Sequence, residues 1–120
     1  QILQKKYAIF KVISKKEIPD LTGSEWYTIS RGKGEISIFC EEDFIPQQYD
    51  KTAEKDWRGF FLDQEFSFDD LGILRDISTP LATAGIALLA VSTFETDYIF
   101  VKENQFQKAK EALEKREYEF

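Results

Sequence analysis

With 120 residues the chain has room for one compact domain or two small units sharing a core, and its 42% hydrophobic and 32% charged residues exclude a disordered polymer. Sixteen basic against twenty-two acidic side chains give a net charge of -6 and a pI near 4.7, which argues against a nucleic-acid partner because a phosphate backbone must be neutralised by excess lysine and arginine. A single cysteine, Cys40, rules out an intrachain disulfide and fits a cytoplasmic protein, while the longest apolar run, Ile86–Val91, is too short to span a bilayer.

Taken in chain order, Tyr7–Ile13 is β-branched and aromatic and reads as a first strand, with Lys11 marking a wet face or an edge. Lys15–Gly23 holds Pro19 and ends in Thr22-Gly23-Ser24, so it reads as a loop. Trp26–Ser30 and Glu35–Cys40 flank Arg31-Gly32-Lys33-Gly34, whose glycines supply the positive φ that a hairpin turn needs. Glu41-Glu42-Asp43 reads as a solvated acidic loop; a divalent-cation site is rejected, because three adjacent carboxylates do not converge on one ion without a scaffold. Asp50–Asp56 is polar enough to be a linker.

From Trp57 to about Phe66 the pattern returns to a strand, and Ser67-Phe68-Asp69-Asp70 offers N-caps for a helix spanning Asp70–Ala84. Within that helix Ile73, Leu74, Ile77, Leu81 and Ala84 recur at helical spacing, and Gly85 stands where a left-handed exit is needed. Ile86–Thr93 reads as a buried strand, Ser92–Thr96 as a polar tip, and Asp97–Lys102 as the returning strand. A last helix covers Asn104–Arg116, with Phe106, Ala109, Ala112 and Leu113 on its apolar face, and Glu117–Phe120 can add a short strand. The order β-α-β-β-α is that of a ferredoxin-like α+β unit with an antiparallel sheet and helices on one face.

Catalytic chemistry has little to work with. There is no histidine, so the commonest general base and metal ligand are missing. Cys40 lies in an aliphatic strand, which raises a thiol's pKa, and Gly32-Lys33-Gly34 lacks the spacing and following helix of a phosphate-binding loop. The remaining candidate is the polar tip. Hydroxyls of Ser92 and Thr93, carboxylates of Glu95 and Asp97, the ring of Phe94 and backbone N–H groups near Gly85 and Ile86 form a donor and acceptor set suited to a zwitterion. Taken alone, the same residues also read as a plain polar β-turn in which Asp97 bonds its own backbone.

The block Thr79-Pro80-Leu81-Ala82-Thr83-Ala84-Gly85-Ile86, the block Val91-Ser92-Thr93-Phe94-Glu95-Thr96-Asp97-Tyr98-Ile99-Phe100-Val101 and the Trp26–Arg31/Glu35–Ile38 hairpin resemble the ACT-type small-molecule-binding domains. The likeness is to the paired-ACT branch, which holds bacterial stand-alone proteins and the animal cytosolic arginine sensors (CASTOR proteins). The resemblance implies a truncated ACT-like repeat over residues 1–56 followed by a full ACT repeat over residues 57–120. It also implies a non-enzymatic regulatory sensor with no cofactor and no metal, binding an amino acid or similar small polar metabolite at a subunit interface. Carried over residue by residue, it places Gly85, Ile86, Ala87 and Leu88 of one repeat against Thr93, Phe94, Glu95 and Asp97 of the repeat beside it. A second copy of this chain would supply the partner repeat, so a homodimer is expected. The rival expectation is an ACT fold that serves assembly alone, without a ligand.

Overall fold

A computed structural model describes residues 2–61 and 73–115, with backbone alone at 73–76. The chain divides into two units: Lys5–Asp56, and a second one made of the described residues on either side of it.

In the Lys5–Asp56 unit, β1 (Tyr7–Val12), β2 (Tyr27–Gly32) and β3 (Glu35–Glu41) form antiparallel pairs in the spatial order β2-β3-β1. The hairpin forms where Lys33-Gly34 permits it: Gly34 takes φ 79°, and Gly32 and Glu35 close the turn as partners. Register then decides what is buried. Val12 faces Ile36, Phe10 faces Ile38 and Ala8 faces Cys40, and this stripe makes a core with Leu21 that Ile18, Phe44, Ile45, Tyr49 and Ala53 cover. Those covering residues come from short 3₁₀ turns at Lys15–Glu17, Glu42–Phe44 and Gln47–Tyr49 and the loops around them; residues 5–56 contain no α-helix. The first 3₁₀ turn, within the stretch expected as loop, is held by a capping box in which Ser14 and Glu17 each satisfy the other's backbone N–H.

The opposite face of this sheet carries a correction to the acidic-loop reading. Glu41 belongs to β3, opposite Tyr7, and is buried. Its Oε2 accepts the Glu25 N–H at 2.6 Å, and the Tyr7 hydroxyl donates to Glu25 Oε1 at 3.0 Å. Register, rather than charge, decides its fate: set opposite Tyr7 and out of water, its carboxylate takes a backbone donor. Tyr7, Trp26 and Phe39 pack edge to face beside this pair, with ring centroids 5.6–6.2 Å apart. Glu42 is half-buried and accepts the N–H of Asp56, which sits at φ 65°, a left-handed conformation that aspartate tolerates better than most side chains.

In the second unit, β4 (Glu54–Phe61) enters from the boundary and pairs antiparallel with β6 (Asp97–Lys102), which pairs with β5 (Leu89–Ser92). Helices α1 (Ile73–Thr83) and α2 (Phe106–Glu114) pack on one face, where Ile77, Leu81, Ala109 and Leu113 meet Phe60, Ile99 and Val101. Arg58, on that same face by register, lays its guanidinium 4.2 Å over Phe106 and pairs with Glu103 at 3.1 Å. On the other face Phe100 is fully buried over Gly59, and the N-terminal stretch joins it: Ile2 bridges Phe60 and the Leu3 N–H bonds Gly59 C=O at 2.9 Å. Ile2–Gln4 therefore belong with this unit.

Expected boundaries shift for identifiable reasons. The strand expected from Ile86 begins at Leu89, because Ile86 is used to cap α1. The last helix begins with a 3₁₀ turn, Glu103–Gln105, before α2 proper. The N-cap candidates at 67–70, the end of the first strand of this unit at 62–66, and the short strand at 117–120 lie outside the described residues. Among the described residues no helix is long and apolar enough to cross a membrane.

Candidate functional site

The candidate residues fall into two groups, one at each end of β5. At its start, α1 ends in a left-handed cap: Gly85 sits at φ 76°, its N–H bonds Ala82 C=O at 3.0 Å, and the Ile86 N–H bonds Leu81 C=O at 2.9 Å. These are the two bonds of a Schellman motif, and the accompanying apolar contact is between Ile86 and Leu81, both in the core. The Gly85 and Ile86 N–H groups are thereby spent on carbonyls that the helix end would otherwise leave unpaired. Gly85 and Ala87 are exposed, Ile86 is buried, and Leu88 packs partly against the core.

At the other end, the Thr93 N–H bonds Thr96 C=O at 2.9 Å, the Thr93 hydroxyl donates to the same carbonyl at 3.1 Å, and the Ser92 hydroxyl donates to Asp97 Oδ1 directly across the ladder. Asp97 thus bonds a side chain on the facing strand instead of its own backbone. Glu95 is exposed, and Phe94 leaves 83% of its surface in solvent. Five residues of extended chain separate Leu88 from Thr93, about 17 Å, so a single copy does not bring the two groups into one site.

Ladder parity reveals what residue types alone could not. Counting back from the Thr93–Thr96 bond, Val91 and Leu89 direct their backbone groups toward Tyr98 and Phe100. Leu88, Ala90 and Ser92 therefore direct theirs away from β6, along a strand that ends the sheet. This open edge joins the two groups. Its only sequence signal is the length of the hairpin tip, which sets the parity.

Two buried ionisable groups are held in their neutral forms by their surroundings. Burial, with Glu41 next along the chain, pushes the Cys40 thiol up to about 11. Burial, then the hydrogen bond to Glu25, holds the Tyr7 phenol far above the usual tyrosine range. Among the described residues no three His, Cys, Asp or Glu side chains converge as a metal site would require.

Comparison with known proteins places this geometry. A profile of the ACT domain matches residues 52–115, and no curated protein matches the chain. Among solved structures the chain is similar to protein Atu0741 from Agobacterium tumefaciens, at 33% identity over 95% of this chain and 84% of that one, with a TM-score of 0.80. It is also similar in fold to VC0802 from Vibrio cholerae, a protein of unknown function titled a possible transport protein, at 20% identity over 94% of this chain and 84% of that one, with a TM-score of 0.77. A further fold likeness is to the aspartate kinase of Clostridium acetobutylicum, titled an allosteric enzyme, at 11% identity over 88% of this chain and 32% of the kinase, with a TM-score of 0.62. ACT domains are in general regulatory, small-ligand-binding domains, and with more than half its length matched this chain belongs to the ACT domain family.

Proposed function

We propose that this chain is a non-enzymatic regulatory domain that holds an amino acid or similarly small polar metabolite between two of its copies, as a paired-ACT protein with a truncated repeat over residues 1–56 and a full one over residues 57–120. The observation that supports it is the open edge of β5 with one candidate group at each end. Two such edges paired antiparallel about Ala90 set Ala87 opposite Thr93 and Leu88 opposite Ser92 of the second copy, and bring Gly85 and Ile86 within reach of its Phe94 and Glu95. Each of the two equivalent clefts then gathers one copy's strand entry and the other copy's acidic tip. The carboxylates of Glu95 and Asp97 would take the ligand's ammonium, and the backbone at Ala87, which precedes β5 and lies beside the paired Leu88, would take its carboxylate in place of the spent amides before it.

A thermal-shift screen against the standard amino acids tests this reading. One of them raises the melting temperature of the wild-type chain, and Asp97→Ala abolishes that rise while melting at nearly the same temperature without ligand. The absence of any shift refutes it. A second reading, assembly without a ligand, is favoured by the Ser92–Asp97 bond, which already satisfies the carboxylate the ligand would need. It predicts an unchanged melting temperature throughout the screen with oligomer mass intact.

A further inference from the structure

The other unit has an open edge of its own, and its sequence is complementary to itself. Among the described residues four large hydrophobic side chains are exposed, and two of them, Tyr27 and Ile29, each 45% accessible, stand on the same face of β2. β2 ends the strand order, six residues long and without proline or a bulge to blunt it. Counting from the Gly32–Glu35 pair that closes the two-residue turn, Ser30 and Thr28 bond toward β3, so Arg31, Ile29 and Tyr27 direct their N–H and C=O groups outward. The bonding groups and the exposed apolar side chains therefore belong to the same residues.

We propose that β2 pairs with β2 of a second copy of this chain, antiparallel about a two-fold axis at Ile29. That register is the one in which every outward group finds a partner: Ile29 exchanges two N–H···O bonds with its twin, and Tyr27 and Arg31 of each copy exchange two with Arg31 and Tyr27 of the other. On the side-chain level the two Ile29 residues cover each other, each Arg31 guanidinium lies beside a Tyr27 ring, and Thr28 meets Ser30. Just beyond the strand ends Glu25, whose carboxylate also takes the Tyr7 hydroxyl, falls opposite Lys33 in register. Moving the axis to Thr28 would leave Arg31 beyond the end of the partner strand, moving it to Ser30 would do the same to Tyr27, and moving it by two residues would set Arg31 against Arg31 or Tyr27 against Tyr27. This interface involves none of the β5 residues and stands apart from the ligand reading: it makes the chain a sheet extended through its Lys5–Asp56 unit.

The test is a cross-link with a register control. Paired strands at a bonded position hold Cα atoms about 5.5 Å apart, inside the reach of a disulfide. Ile29→Cys in the full chain should therefore form a covalent dimer on mild oxidation at micromolar concentration. Ser30→Cys, whose twin lies about 8 Å away on the diagonal, should not. Cys40, buried, does not compete. In parallel, Ile29→Lys sets two ammonium groups against each other at the axis and should lower the mass read by light scattering, where one chain is 14.0 kDa, to no more than the assembly that β5 alone sustains. Equal cross-linking of the two cysteine variants, no cross-linking of Ile29→Cys, or an unchanged mass for Ile29→Lys overturns the proposal. None of those results bears on ligand shifts, which depend on β5 and its tip.

Discussion

Gly85→Ala separates the structural role of the α1 exit from a role in ligand contact. Gly85 holds φ 76°, and a methyl group there would have no heavy atom within 4 Å, so the cost is purely backbone conformation. An L-residue forced into the left-handed region loses about 1–2 kcal/mol, and the reduced freedom of the unfolded chain returns about 0.4–1 kcal/mol. The net loss is about 1 kcal/mol, read in urea as a midpoint lowered by about 0.5 M at an ordinary slope. Gly85→Asn should recover part of this, since asparagine tolerates the same conformation. Gly34→Ala is the matched control: φ is 79° and the space is equally open, so its loss should be similar although it lies in a hairpin turn of the other unit. Because the Gly85 N–H is already bonded to Ala82, Gly85→Ala should leave any ligand-induced melting shift in place. An alanine variant as stable as the wild type, or an asparagine variant no better than alanine, refutes the cap argument.

Gly59→Ala should do more harm than either, because its Cβ would stand 2.7 Å from Phe100 Cε1 and 2.9 Å from Leu3 Cδ1, in a place where Phe100 is fully enclosed. A loss of about 1–3 kcal/mol is expected from such overpacking, and a melting point lowered by less than about 2 °C, the least that 1 kcal/mol produces in a chain of this size, contradicts it. Alkaline unfolding should report on Tyr7. Its folded pKa is raised, so above about pH 10 the unfolded chain gives up a proton that the folded chain keeps, and stability falls as pH rises, by up to about 1.4 kcal/mol per pH unit. Cys40, raised to about 11, adds to the fall in the same direction from about pH 9. Tyr7→Phe should flatten the limb above pH 10, as read by denaturation at a series of pH values; an equally steep limb in the variant refutes the assignment.

Much of this architecture is legible in residue order, and the exceptions have local causes. The β2–β3 hairpin is visible because Lys33-Gly34 is short and glycine-bearing, and β6 because Asp97–Lys102 alternates around β-branched and aromatic residues. The end of α1 is visible in Gly85. What Gly85 does to its neighbours is not: hydrophobicity alone cannot tell an Ile86 that opens a strand from one that folds back onto Leu81 as part of a cap, and the second outcome moved the strand start to Leu89. Glu41 misled for a related reason. Three consecutive acids read as solvated, yet ladder register carries the first of them under Glu25 beside Tyr7. The candidate ligand residues were identifiable by type and by likeness to a family, while their separation to the two ends of β5 depends on strand length and parity, which no residue type announces.

The account stands or falls on whether a small zwitterion is bound where two β5 edges meet. Calorimetric titration of the standard amino acids into the wild-type chain measures this most directly. The account predicts saturable heat with one amino acid, at one ligand per chain and two per pair of copies, and its loss in Asp97→Ala. Titrations that are flat for every amino acid, or heat that persists unchanged in Asp97→Ala, would contradict it.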